Sequence, residues 1–134
     1  MALEYRDKIE MTRMGDASTE ACAMRLSVAR AATGLTKTQF CKEAGVGLTS
    51  FLNAEAGRSY PSRAIMLYLH RNHRIDFNFI LHGDFQQLPS DVQYVLLELI
   101  EKTNEMKTRG LIPAEQRTVE LSQIALPPQD RRPG

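Results

Sequence analysis

His70 and His73 stand three residues apart, a spacing that puts two imidazoles on one face of a helix. With Cys22 or Cys41 beside them they would offer the nitrogen and sulfur donors that zinc takes. No C-x-x-C pair and no further ligand cluster accompanies them, so the pattern predicts packed or edge histidines, not a metal centre. Two cysteines make no disulfide scaffold and read as reduced thiols, Cys41 as a small apolar filler. The third histidine, His82, has no convincing carboxylate or nucleophile arrangement around it. There is no nucleophile elbow, and the glycines flanking Val46 lack the Lys-Ser/Thr of a phosphate-binding loop. The chemistry on offer is therefore that of binding: no enzyme, no metal and no cofactor is predicted.

Binding side chains need a frame, and the sequence supplies short helices punctuated by glycine. "EACAMRLSVARAAT" is rich in helix formers and is closed by Gly34. Thr36 with Gln39 three residues later is a capping box, opening a helix whose inward residues are Phe40 and Ala44. Gly45 and Gly47 flank Val46 in a turn, and "LTSFLNAEA" follows, with Phe51, Leu52 and Ala54 facing inward until Gly57 stops it. Pro61-Ser62 starts "RAIMLYLHRN", amphipathic through Ile65, Met66 and Leu69, and Asp76 caps "FNFILHG". Ser90 with Gln93 reads as another capping box, heading a long helix that carries Val92, Val95, Leu96, Leu99 and Ile100 at spacings of three and four. No strand pattern and no internal repeat appears.

Composition is that of an ordinary globular protein: 134 residues, 43% hydrophobic and 25% charged, without tryptophan. No apolar run approaches the roughly 20 residues needed to span a bilayer, and the first residues lack a secretory apolar core, so a cytoplasmic location is predicted. The net charge of +1 is unevenly spread. Residues 20–83 carry eight Lys/Arg against four acids, residues 84–134 six against eight, and residues 1–19 three against four. The middle segment is the cationic part, which suits a polyanionic partner.

Two short helices joined by a tight glycine turn form the helix-turn-helix unit, in which small residues such as Ala44 and Gly45 let the backbones approach. Such a unit lays its second helix in the major groove while its first crosses the phosphate backbone. The wider pattern resembles the phage-repressor and Cro-like family of helix-turn-helix regulators, also called the xenobiotic-response-element family. The residues that carry the resemblance are Arg25-Leu26, Ala29-Arg30, Gly34-Leu35-Thr36, Phe40, Ala44-Gly45-Val46, Phe51, Glu55, Gly57-Arg58, Pro61 and the closing "FILHG". They span about residues 22–84, roughly half the chain.

The resemblance implies a five-helix lambda-repressor-like all-α domain over residues 20–84; the chain's own pattern reads residues 1–19 as a flexible arm or a frayed first helix, 85–125 as a helical extension and 126–134 as a disordered tail. The resemblance also implies double-stranded DNA as partner, with base contacts from Leu48, Thr49, Ser50 and Asn53 and phosphate contacts from Thr36, Lys37, Arg58 and Arg63. Asn53 would meet an adenine edge, and Thr49 a thymine methyl or a base donor. Arg30 and Glu55 would form a structural ion pair. Gly47 stands where the family prefers a Ser or Thr cap, Lys37 where Gln is frequent, and Leu48 is apolar at the groove entrance, so few base contacts and a share of DNA-shape readout follow. Family members commonly dimerise beyond the DNA-binding domain, which assigns Val92, Val95, Leu96, Leu99 and Ile100 to a homodimer seam. Intramolecular packing of that stripe is the competing expectation. The implied function is a dimeric repressor on a palindromic operator, nucleoid-associated when bound. An antitoxin or anti-activator on the same scaffold, docking a protein through the Pro-interrupted tail, is the alternative.

Overall fold

The computed structural model describes residues 3–109, and all regular structure among them is helical. The order is α1 (Tyr5–Thr12), α2 (Thr19–Thr33), α3 (Lys37–Ala44), α4 (Leu48–Glu55), α5 (Arg63–His73), α6 (Phe77–His82) and α7 (Ser90–Arg109). No described helix is long and apolar enough to cross a membrane. The part of the expected helical extension beyond residue 109, and the expected disordered tail over 126–134, lie outside the described residues.

Caps account for most helix ends. Ser18, Thr36, Ser62 and Asp76 each accept a backbone N–H from the first turn of the helix they precede. Gly34, Gly45 and Gly83 close α2, α3 and α6 in the left-handed conformation. The box expected at Ser90 is not formed as read: the Gln93 side chain instead donates to the carbonyl of Phe85, tying α7 to the preceding loop.

α2 is the central strut. Eleven of its residues are buried, five of them alanines, and it packs against α4, α6 and α7. A helix small and apolar on nearly every side suits the middle of a helical layer. Around it Phe40 and Phe51 lie 5.1 Å apart, and Tyr68 meets Phe40 edge-on at 5.2 Å. Leu88, Val92, Leu96, Leu99 and Ile100 join this same core.

Two expectations are corrected here. Residues 1–19 are not a loose arm over their described length: α1 packs on α7, and the following loop is pinned where the Gly15 N–H donates to the carbonyl of His82 at 2.8 Å. The α7 stripe is not an open subunit seam. Val92, Leu96, Leu99 and Ile100 are buried and Val95 is half-buried, spent on the chain's own core. α7 and helices α2–α6 therefore share one interior, and among the described residues the buried part of this stripe is not open to a second copy.

The least expected interior residue is Arg25, fully buried in α2. Its Nε donates to the carbonyl of Thr12 at 3.0 Å, Nη1 to Ile80 at 3.2 Å, and Nη2 to Arg13 and Asp16, each at 2.7 Å. Thr12 and Ile80 lie in the last turns of α1 and α6, and Arg13 caps α1. The guanidinium thus sits where two helix C-termini present carbonyls with no partner in their own helix, the negative ends of their dipoles. Burial pulls its pKa down, with the Asp16 charge among those opposing; an arginine so held remains a cation.

Gly83 makes this approach possible. Its φ is +78°, and a Cβ there would lie 2.7 Å from the Thr12 carbonyl oxygen and 3.0 Å from both Nε and Nη2 of Arg25. Gly83→Ala should lower stability by about 2–3 kcal/mol, the left-handed conformation and the clash together. Gly45→Ala has the same sign of φ, +72°, but open space around the added methyl. It should lose only about 1 kcal/mol, and urea denaturation of the two variants side by side checks the contrast.

Candidate nucleic-acid interface

The α3–α4 unit is set by its turn. The Gly45 N–H donates back to the carbonyls of Cys41 and Lys42, and the Val46 N–H to Cys41 at 3.0 Å, so α3 stops within one residue. Gly47 then adopts an extended conformation as N-cap of α4 and offers no side-chain acceptor. The first N–H groups of α4 consequently point outward uncapped by side chains.

α4 buries Phe51 and Ala54, holds the Glu55 side chain inward, and turns Leu48, Thr49, Ser50 and Leu52 out. Leu48 is 44% exposed and Leu52 38%. Thr49 and Ser50 are exposed and Asn53 is half-buried. Leu52 was expected inside; it lies one turn beyond Leu48 on the outer face, because Phe51 and Ala54 already fill the contact with the core. The four positions assigned to base contact thus lie together on one accessible helix.

The assigned phosphate contacts flank it unequally. The Thr36 hydroxyl oxygen accepts the Gln39 N–H at 3.1 Å, while Gln39 returns a bond to the Thr36 N–H, so only the hydroxyl proton of Thr36 is uncommitted to this box. Lys37 leans toward Glu55, its Nζ 3.4 Å from Oε1. Arg58 is exposed and donates from Nη1 to Asn53 Oδ1 at 3.1 Å, and its backbone N–H bonds the Asn53 carbonyl at 2.9 Å. Arg63, first residue of α5, is exposed.

Behind α4 lies the ion pair. Arg30 Nε meets Glu55 Oε2 at 3.0 Å, with side-chain exposures of 1% and 8%. Arg30 Nη1 donates to the Leu35 carbonyl at 3.1 Å, and its Nη2 is buried without a hydrogen-bond partner. Glu55 therefore joins α2, the end of α4 and the start of α3 through two cations. Cys41 lies close by, its thiol pushed up by burial and by the Glu55 charge. A second polar link holds α3 on α5: the Tyr68 hydroxyl donates to Glu43, and His73 Nε2 lies 3.1 Å from the same hydroxyl.

The two histidines of the sequence pattern do not converge. His73 is buried against Tyr68, while His70 is exposed with its ring nearly perpendicular to that of Phe77. Among the described residues no three His, Cys, Asp or Glu side chains cluster.

Sequence reasoning missed three features of this surface: the exposure of Leu52, the Arg58–Asn53 bond and the inward pull on Lys37. The first was accessible in the spacing, since Leu48 and Leu52 are one helical turn apart. The other two depend on rotamers that no spacing encodes. Residues 20–83 also present less charge than their count suggests. Arg25, Arg30 and Glu55 are withdrawn into the interior or the pair, leaving six basic residues against three acids outside. No family model, no curated protein and no solved structure matches the chain.

Proposed function

We propose that the chain is a sequence-specific DNA-binding regulator of transcription with a lambda-repressor-like five-helix arrangement over α2–α6, acting as a repressor on a two-fold symmetric operator. The observation that carries this reading is α4: an eight-residue helix with one buried face and an outer face of Leu48, Thr49, Ser50, Leu52 and Asn53 that bears no acid. A rod of that kind fits the major groove, which is about 12 Å wide. Arg58 and Arg63 supply cations for strand phosphates, Thr36 a hydroxyl, and Lys37 a charge shared with Glu55. A two-fold partner would place two α4 helices about 34 Å apart, one turn of DNA.

Arg58 gives Asn53 a defined orientation. With Oδ1 accepting from the guanidinium, the amide NH2 is directed away from Arg58 and offers donors to a base edge such as adenine N7. Asn53→Ala should lose about 1–3 kcal/mol of affinity for a selected site and little for random DNA. Lys37→Ala should weaken both equally and flatten the salt dependence. A gel-shift series over several salt concentrations on both DNAs separates these effects; equal loss on both DNAs for Asn53→Ala removes base reading from that residue.

The exposed Leu48 and Leu52 favour a second reading, a protein-docking module such as an antitoxin or anti-activator. Retention on heparin or duplex DNA that falls as salt rises supports the first reading. Indifference to DNA, with a protein bound at α4, supports the second.

A further inference from the structure

Leu48 and Leu52 form an apolar stripe on the outer face of α4, and Thr49 and Asn53 form a polar stripe beside it. Two half-exposed leucines supply a small fraction of the about 800 Å² that a stable protein interface buries on each partner. They suit small apolar contacts instead. They also sit beside Arg58 at Asn53, on a helix whose one carboxylate, Glu55, is buried against Arg30. A polyanion carrying isolated apolar groups matches that surface. In duplex DNA the apolar group on the major-groove edge is the thymine 5-methyl, and the same A·T pair shows adenine N7 and N6 to an amide.

Resting on the DNA-binding reading above, we infer that Leu48 and Leu52 are specificity-determining residues that read thymine methyl groups, so that each half-site holds A·T pairs under α4 with a thymine methyl against this stripe. Thr49 adds its own methyl at the same edge. Discrimination comes from removing a methyl and a leucine face from water together, and it is independent of the phosphate contacts, which act on every sequence alike.

The test begins with selection of bound duplexes from a random library, using the full chain. The selected duplex is then rebuilt with deoxyuridine in place of thymidine at the α4-facing positions, which removes the methyl and keeps every hydrogen bond. Binding should weaken about fourfold per contacted methyl, equivalent to about 0.8 kcal/mol, with affinity for random DNA unchanged. The double variant L48S/L52S, shown to be folded by circular dichroism, should bind the thymidine and deoxyuridine duplexes equally. Equal binding of both duplexes by the unaltered protein, with the site still preferred over random DNA, overturns the methyl reading and leaves the regulator standing. A double variant that still discriminates the two duplexes, or that loses self-association instead, also overturns it. Failure to select any sequence overturns both.

Discussion

Replacing Arg25 with methionine should lower the free energy of unfolding by about 3–5 kcal/mol, a large share of the 5–15 kcal/mol that holds a domain of this size folded. Four carbonyls, those of Thr12, Arg13, Asp16 and Ile80, converge on the guanidinium. Methionine fills similar volume but donates nothing: the Arg13 carbonyl keeps the Asp16 N–H at 2.9 Å, while those of Thr12, Asp16 and Ile80 lose the Arg25 donor, each at about 1–3 kcal/mol unless water reaches it. Lysine should restore little, because a single ammonium cannot aim N–H groups in the planar fork that these four oxygens require. Circular dichroism with urea titration of Arg25→Met and Arg25→Lys reads the effect directly. If Arg25→Met unfolds at the midpoint of the unaltered chain, the buried cation is not a keystone. Hydrogen exchange adds a local signature: protection should fall first in α1 and in the loop through Gly15, whose carbonyls Arg25 gathers.

Glu55→Ala is the second severe change, again about 3–5 kcal/mol, for a different reason. Removing the carboxylate strands Arg30, which is 1% exposed and already holds Nη2 without a partner. Lys37, more open to water, loses its partner at little cost. Breaking one side of a buried pair is worse than removing both, so the paired replacement Arg30→Met with Glu55→Leu should recover most of the loss. A double-mutant cycle by thermal and chemical unfolding measures that coupling; additive losses would show that the two residues act separately. Because Glu55 also fixes the end of α4 against α2 and α3, surviving Glu55→Ala protein should, on the DNA-binding proposal, lose more affinity for selected than for random DNA, since Lys37 released from its partner still offers its charge to phosphate.

Much of the helical order was legible in the sequence because its signals are local. Thr36 with Gln39, Ser62, Asp76 and the glycines at 34, 45 and 83 act within one turn of chain, and the structure uses each of them as a cap. The Arg30–Glu55 contact followed from a resemblance, since 25 residues of separation leave no periodicity to detect. What stayed hidden was long-range. The polar segment 1–19 carries no strong apolar stripe, yet α1 is held by α7 and by Arg25, a residue that charge counting places on the surface. The α7 stripe was plain to see, but a stripe does not name its partner, and α1 and α2 occupy it first. Within the candidate interface, exposure of Thr49, Ser50 and Asn53 follows from the burial of Phe51 and Ala54 on the opposite face. The Arg58 hydrogen bond that orients Asn53 is a rotamer choice, which composition cannot specify.

The packing of α1 on α7 joins segments almost the whole described length apart. During synthesis the early helices emerge from the ribosome with one flank of their apolar surface uncovered, and it stays so until α7 has followed. A chain lacking α7 should therefore leave the apolar flank of α2 open to solvent.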